Sequence, residues 1–408
     1  MKILFVHKSY YPAFREGGDT MILYDVATEL AEMGQDVTVY ATNANADVDL
    51  PTEYIGPREI EGVKVHYFPR SRHPAILRRY VSMTFYRHLR DHIHYFDIVH
   101  IWHIFTFMAV ATALLARRAK KRYIVSPQAN LSPVAFRKNH LAKTLYLRFI
   151  ESLTFNAAAG VQCNTAFDAA WAVGCGIKKS NLLPVVTYGI RDLPEYVEPT
   201  PKKRSRYFLF IGRMDKIKGL DFFLDVLALL IIRDGVDCRF VGIGHKSTGY
   251  DRIFEGLVQA KGLTKYVEWK GFASDELKRQ LVDQAACVIL PSYTESFGLV
   301  IVEAMAMGAP VVISDQCNVR EHVEKACCGF VIPHDPEMWA TRLKELLDNP
   351  GLGDEFGQRG WRYFKRNLTV THCANGLLKN YERLVDGEPL IALGEARQQH
   401  TDDRSVVR

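Results

Sequence analysis

Short apolar runs alternate with longer stretches of helical period along most of the chain. Lys2 to His7 (KILFVH) is a run of strand length, followed by Tyr10, Tyr11, Pro12 and the Gly17-Gly18 pair, and then by an amphipathic stretch from Thr20 to Met33. Strand-length runs have period two or are wholly apolar, whereas helices repeat every 3.6 residues, so this opening predicts strand, glycine loop and helix. Gly34 stops the helix and Asp36 to Ala41 (DVTVYA) starts a second strand. A βαβ unit of this kind predicts parallel pairing with a right-handed crossover. Further runs at Val63 to Phe68, Ile98 to Ile101, Tyr123 to Ser126 and Gly160 to Asn164 alternate with helical segments such as Leu141 to Asn156. The pattern predicts an α/β doubly wound sheet over residues 1–190.

From Asp192 to Arg206 prolines and charges replace the apolar period, and residues 191–206 are expected to be a linker. The pattern restarts at Tyr207 to Ile211, with a helix from Leu220 to Arg233. Further strands are expected at Cys238 to Gly242, Val267 to Trp269, Cys287 to Leu290 and Pro310 to Ser314. A second Rossmann-like domain is therefore expected over 207–365. A well-patterned helix from about Thr369 to Leu384, within 366–386, is free to pack on either domain, and 387–408 loses its apolar pattern and is expected to be disordered.

Composition adds little to this picture except in charge. The 408 residues, 48% hydrophobic and 24% charged, suffice for two cores, and two domains imply a cleft. The net charge of +6 is modest, but Arg70, Arg72, Arg78, Arg79, Arg87 and Arg90, interleaved with Tyr80, Phe85 and Tyr86, precede a second cluster at Arg117, Arg118, Lys120, Lys121 and Arg122. Basic and aromatic residues mixed in this way suit an anionic lipid surface better than nucleic acid, and plain solvated helix faces remain open. Eight cysteines without a CxxC pair read as buried thiols in a reducing compartment. With no stretch near the ~20 apolar residues of a membrane span, the expectation is a cytoplasmic protein, peripheral at the inner face of the membrane if the basic surface meets lipid.

Candidate chemistry concentrates in the second half. In LPSYTESFGLVIVEAMAMGAPVV, Leu290 to Val312, Glu295 lies in a polar loop and Glu303 falls inside an apolar helix, where an ionised carboxylate needs a fixed polar partner. A sugar hydroxyl or a ribose would serve. The amides around Phe297, Gly298 and Leu299 open the helix and would face the cleft. In FIGRMDKIKG, Phe210 to Gly219, Arg213, Lys216 and Lys218 lie on a loop after a strand. Arginine supplies a bidentate fork and lysine a point charge, so two fixed cations can stabilise a leaving diphosphate without a metal.

The first domain offers weaker signals. Gly17-Gly18 lacks the GxGxxG spacing, yet Gly18 would bring backbone close to a donor phosphate. In DIVHIWHIF, Asp97 to Phe105, the two histidines have no acid or cysteine at metal-ligand spacing. His100 reads as a core residue, and His103, further into the loop, as the candidate site residue.

The PS-x-x-E-S-F-G-L…E-A-M-A-x-G-x-P-V-V stretch, joined to G-R-x-x-x-x-K-G, resembles the retaining glycosyltransferases of family 4, the group 1 glycosyl transferases. The resemblance implies the GT-B fold, two Rossmann-like domains facing a cleft. It implies that Arg213 and Lys218 grip the donor diphosphate, that Glu303 meets the ribose, and that Glu295 with the Phe297 to Leu299 backbone holds the transferred sugar. Retaining, metal-independent transfer follows, with a nucleotide diphosphate sugar as substrate, no cofactor, and a saccharide or lipid-linked acceptor in polysaccharide or glycolipid biosynthesis. Where many members carry histidines in the first domain, Trp102 and Gln128-Ala129 stand here, and His103 is the candidate substitute. A nucleotide-sugar binding protein without transfer activity and a same-fold epimerase or phosphorylase remain the alternatives.

Overall fold

A computed structural model describes residues 1–73, 80–133, 140–247 and 249–387. The chain divides into two compact units, one of Met1–Gly189 together with residues from Val370 onward, the other of Ile190–Thr369.

The first unit is built on a seven-stranded sheet. Its strands are β1 (Lys2–His7), β2 (Asp36–Thr42), β5 (Gly56–Ile60), β6 (Val63–Phe68), β7 (Ile98–Ile101), β8 (Tyr123–Val125) and β9 (Gly160–Val161), in the order β5-β6-β2-β1-β7-β8-β9. A short antiparallel hairpin of β3 (Ala44–Asn45) and β4 (Val48–Asp49) stands apart from it. All sheet pairings are parallel except β5 with β6. Parallel strands are covered on both faces, which is why Ile3, Leu4, Phe5 and Val6 are all buried. The edge strand β5, GPREI, has no apolar run and gave no periodic signal.

In the second unit six strands pair entirely in parallel: β10 (Tyr207–Ile211), β11 (Arg239–Ile243), β12 (Val267–Trp269), β13 (Cys287–Leu290), β14 (Val311–Ser314) and β15 (Gly329–Ile332), ordered β12-β11-β10-β13-β14-β15. The order reverses between β10 and β13, and the crevice beyond the carboxyl ends of the strands at such a switch point is where ligands of open α/β sheets bind. Helix starts follow the expected side-chain caps. Ser274 Oγ accepts from the Leu277 N–H, and Asp335 accepts from the Glu337 and Met338 N–H groups ahead of Pro336 at the first helical position.

Residues 191–206 contain no helix or strand, and they pack on the second unit. Tyr196 is buried with its ring edge-on to Phe364, the Trp361 indole donates to the Tyr196 carbonyl, and Arg204 donates to the Gly308 carbonyl. The helix Val370–Asp386 belongs to the first unit. There the Tyr381 hydroxyl and His100 Nδ1 share a 2.7 Å hydrogen bond, and Asn380 donates to Gln162 Oε1 at 2.7 Å. His100 is wholly buried, with its other ring nitrogen bonded to Ser126 Oγ, as a core residue.

One part of the basic surface is corrected. Arg70 is not presented to any surface: its side chain is buried, with Nε 2.7 Å from Asp49 Oδ1 and Nη2 donating to the Ala46 and Val48 carbonyls, so it clamps the β3–β4 hairpin. Arg72 also reaches Asp49, and Arg90 pairs with Asp91. Arg87, Arg117, Arg118, Lys120 and Arg122 are exposed, while Arg78 and Arg79 lie outside the described residues, as does 388–408. Among the described residues no helix is long and apolar enough to cross a membrane. Six of the eight cysteines are buried and all eight are free thiols.

Candidate functional site

Two loops meet at the switch point of the second unit. After β10 the chain turns through Gly212 into a 3₁₀ turn, Lys216–Lys218, capped by Asp215, whose Oδ1 accepts from the Ile217 N–H. Gly219 follows with φ +65°, and a Cβ there would lie 2.0 Å from the Pro291 carbonyl oxygen. No other residue type permits that approach, so glycine is what allows the turn to rest on the loop after β13. The Tyr293 N–H donates to the Ile217 carbonyl at 2.9 Å and locks the two loops together. On this base Lys218 Nζ forms an ion pair with Glu295 Oε2, both side chains being about four-fifths buried. The structure thus brings together the lysine and the acid named from sequence.

Arg213 is placed differently. Its side chain is 63% exposed and its guanidinium reaches only Asp215 Oδ2, at 3.4 Å, among the contacts described. It lies on the same loop as Lys218 without converging on Glu295.

Glu295 is fixed by its backbone. Its N–H donates to the Gln316 carbonyl and its carbonyl accepts from the Asn318 N–H, while the Val319 N–H donates to the Phe297 carbonyl. Gly298, at φ +98°, is the N-cap of the helix Leu299–Ala306. The first amides of any helix lack intrahelical partners, so Gly298 and Leu299 begin a segment with donors to offer an anion. The Phe297 ring is buried edge-on to His322, which leaves its backbone as the part able to serve the site. Glu303, one turn into the helix, is paired with Lys278 Nζ at 3.1 Å, and Lys278 also lies 3.5 Å from Asp275.

Two features had no sequence signal of their own. Lys278 stands in the charged run DELKR of the helix Asp275–Gln284, where one more lysine looks like ordinary surface, although its side chain is only 22% exposed. Phe272, on the loop after β12, is 76% exposed and stacks on His245 from the loop after β11, with ring centroids 5.3 Å apart. Gly244 brings that second loop close, since a Cβ there would lie 2.0 Å from the Gly212 carbonyl oxygen. The shared location of these short loops at carboxyl strand ends is the signal that would have found them.

Gly18 and His103 belong to the first unit. Gly18 is the first residue of the helix Gly18–Glu32, exposed together with Gly17, whose φ is +107°. Beside it lies a charged cluster unremarked in the sequence: Lys8 Nζ is 3.2 Å from Asp19 and 3.4 Å from Glu16, and His7 Nε2 is 3.4 Å from Asp19. Burial acting alone would raise the Asp19 pKa, but the His7 hydrogen bond and the Lys8 charge outweigh it and hold the carboxyl well below its ordinary range. His103 Nδ1 is 2.6 Å from the Ile104 carbonyl, and its ring centroid is 5.9 Å from that of His7. Burial, reinforced by the charge of Lys8, lowers its pKa to about 3, so the imidazole is neutral at physiological pH. Gln128, at φ +54°, is held by hydrogen bonds from Tyr188 and Asn164 to its amide oxygen. Among the described residues no group of three or more His, Cys, Asp or Glu side chains is placed to hold a metal ion.

Comparison with known proteins bears on both units. The group 1 glycosyl transferase family matches residues 194–362, and the glycosyl transferase 4-like domain matches residues 17–186. The chain is 35% identical to the alpha-D-kanosaminyltransferase of Streptomyces kanamyceticus over 152 residues, 37% of this chain and 38% of that protein. It is 25% identical to the D-inositol 3-phosphate glycosyltransferase of Gordonia bronchialis over 423 aligned positions, 96% of this chain and 90% of that one. The first of these matches therefore spans well under half the relative's length. Among solved structures, Anabaena Alr3699/HepE, determined with UDP and with UDP and glucose, superposes with TM-scores of 0.74 and 0.72 at 19% identity, covering 94% of this chain and 100% and 99% of those chains. That likeness shows the fold, two Rossmann-like domains of the GT-B class. One family match lies on each unit, so the first unit carries a glycosyl transferase 4-like domain and the second a group 1 glycosyl transferase domain.

Proposed function

We propose that the protein is a retaining, metal-independent glycosyltransferase that moves a sugar from a nucleotide diphosphate sugar to a lipid-linked or saccharide acceptor. The observation that carries this reading is the Lys218–Glu295 pair at the switch point, beside the helix start at Gly298 and Leu299. A cation for phosphate oxygens and an acid for sugar hydroxyls, locked side by side, match the two ends of the bond to be broken. The relatives' names describe glycosyl transfer, and HepE was solved with UDP and glucose, in keeping with this donor class.

In this mechanism Lys218 and Arg213 take the diphosphate, and Arg213, exposed and loosely paired, swings in as the donor arrives. Glu303 exchanges Lys278 for the ribose hydroxyls. Glu295 accepts hydrogen bonds from the sugar and orients its anomeric carbon. The bond from that carbon to the diphosphate oxygen breaks, both cations stabilise the departing charge, and the acceptor oxygen bonds to the same face while its proton passes to a phosphate oxygen. His103, neutral at working pH, serves as a hydrogen-bonding group on the acceptor side, and Gly18 offers backbone to the phosphates. The Phe272–His245 stack receives the nucleobase.

The test is release of nucleoside diphosphate from a panel of nucleotide sugars in the presence of candidate acceptors. Lys218→Ala and Glu295→Gln should each lower turnover by about a hundredfold or more, as for other lost electrostatic stabilisers. Wild-type turnover in both variants would overturn the site, and donor binding without release under any acceptor would favour a binding protein.

A further inference from the structure

The helical segment made of His140–Tyr146, the π-turn Leu147–Glu151 and Ser152–Asn156 is amphipathic in the wrong sense for a surface helix. Its exposed residues include Leu141, Thr144 and Leu145, spaced i, i+3 and i+4 on one face of the α-helical part, and Arg148 and Phe149 in the π-turn that continues it. Leu141 is 72% exposed, Leu145 47% and Phe149 65%, and Ile150 beside them is exposed as well. Meanwhile Glu151 is wholly buried, its Oε1 accepting the Phe105 N–H at 2.7 Å. A helix that buries a carboxyl and turns two leucines and a phenylalanine to solvent has that face set aside for an apolar partner.

Charge identifies the partner. From Ile98 to Ile150 the sequence holds nine lysines and arginines (Arg117, Arg118, Lys120, Lys121, Arg122, Arg137, Lys138, Lys143 and Arg148) and no aspartate or glutamate. Such a stretch repels a second copy of itself. Nucleic acid would use the cations but has no call for a leucine stripe. An anionic bilayer uses both, taking apolar side chains into its acyl boundary and cations at its headgroups. We propose that residues 140–151 dock the protein on an anionic membrane by shallow insertion of Leu141, Leu145 and Phe149, with Arg148 at the headgroup level. This deepens the lipid-linked arm of the proposed function and rests on that arm for its purpose, although the docking itself can be measured without transfer.

The test is flotation of the full chain with vesicles of phosphatidylglycerol or of phosphatidylcholine alone. The wild type should float with the anionic vesicles, release in high salt, and stay behind with the neutral ones. Leu141→Gln, Leu145→Gln and Phe149→Gln combined should lower partition by about a hundredfold while the cooperative thermal melt is kept, because Leu141 and Phe149 are already mostly in water and Leu145 about half. Independently, Phe149→Trp should show added fluorescence that shifts to the blue on anionic vesicles and is quenched by brominated acyl chains. Equal flotation of the triple variant, no flotation of the wild type, or an unquenched Phe149→Trp signal overturns the proposal, as does a wild-type dimer that the triple variant dissolves. Docking together with transfer only to soluble acceptors would keep this inference and remove the lipid-linked acceptor. Transfer to a detergent-dispersed lipid acceptor without docking would do the reverse.

Discussion

Gly219 carries more of the proposed donor site than its size suggests. Its left-handed backbone and its contact with the Pro291 carbonyl leave no room for a Cβ, so Gly219→Ala must separate the two loops that hold Lys218 and Glu295. The expected result is a loss of about 2 kcal/mol or more in stability, read as a lowered unfolding midpoint, with donor affinity falling alongside. Lys218 and Glu295 themselves were legible in the sequence, because each stands in a short motif at a strand end. Arg213 was legible as a residue but not as a geometry, since nothing in FIGRMDKIKG says that Asp215, two positions on, is the partner within reach. Glu303 needed a polar partner by its apolar setting, and Lys278 supplies one from 25 residues away in sequence. Pairings of that range leave no local mark.

Among the elements, the strands and helices that show a clean period are found within a residue or two of where the pattern puts them, as with β1, β6, β7, β10, β12 and β13. The failures have a common cause. β5 was missed because GPREI has no apolar run, and it takes its pairing from β6 rather than from any period of its own. The expected helix Leu220 to Arg233 is interrupted by a π-turn at Leu229–Arg233, where LLIIR is apolar all round and gives no register. The loops after β11 and β12 illustrate the same blind spot, for the Phe272–His245 stack forms between two loops that are silent separately. Phe272→Ala should raise the donor KM about tenfold and leave kcat nearly unchanged, the mark of lost ground-state binding. A drop in kcat with KM unchanged would place Phe272 outside the nucleotide site.

For the molecule as a whole, pH dependence follows from the buried titratable groups. His66 and His322 are lowered to about 4 and His100 and His103 to about 3, chiefly by burial, and His88 is lowered too. A histidine whose folded pKa lies below its unfolded value contributes stability above pH ~6.5, lost as the unfolded chain takes up the proton on acidification. Glu151 and Asp168 act in the opposite sense, since burial raises both to about 7 and their contribution is lost as pH rises through that value. Five histidines against two acids leave a net loss between pH 6.5 and 5, at most roughly 1.4 kcal/mol per pH unit for each unbalanced proton. The unfolding midpoint should therefore fall across that range in a thermal melt. Glu151→Gln should become more favourable relative to the wild type as pH rises from 5 to 8, because the amide has no ionisation to suppress. A midpoint flat from pH 8 to 5 would contradict the histidine burial.

The return of residues 370–386 to the first unit sets an order of assembly. During synthesis the ribosome delivers all of Ile190–Thr369 before Asn380 and Tyr381 exist to meet Gln162 and His100. The unit begun first is thus the one finished last, and until then its nascent sheet has a bare seam where that helix will lie. A chain truncated after residue 369 and released should display a mature second unit beside a protease-sensitive first one, and the full-length chain should show the seam closed.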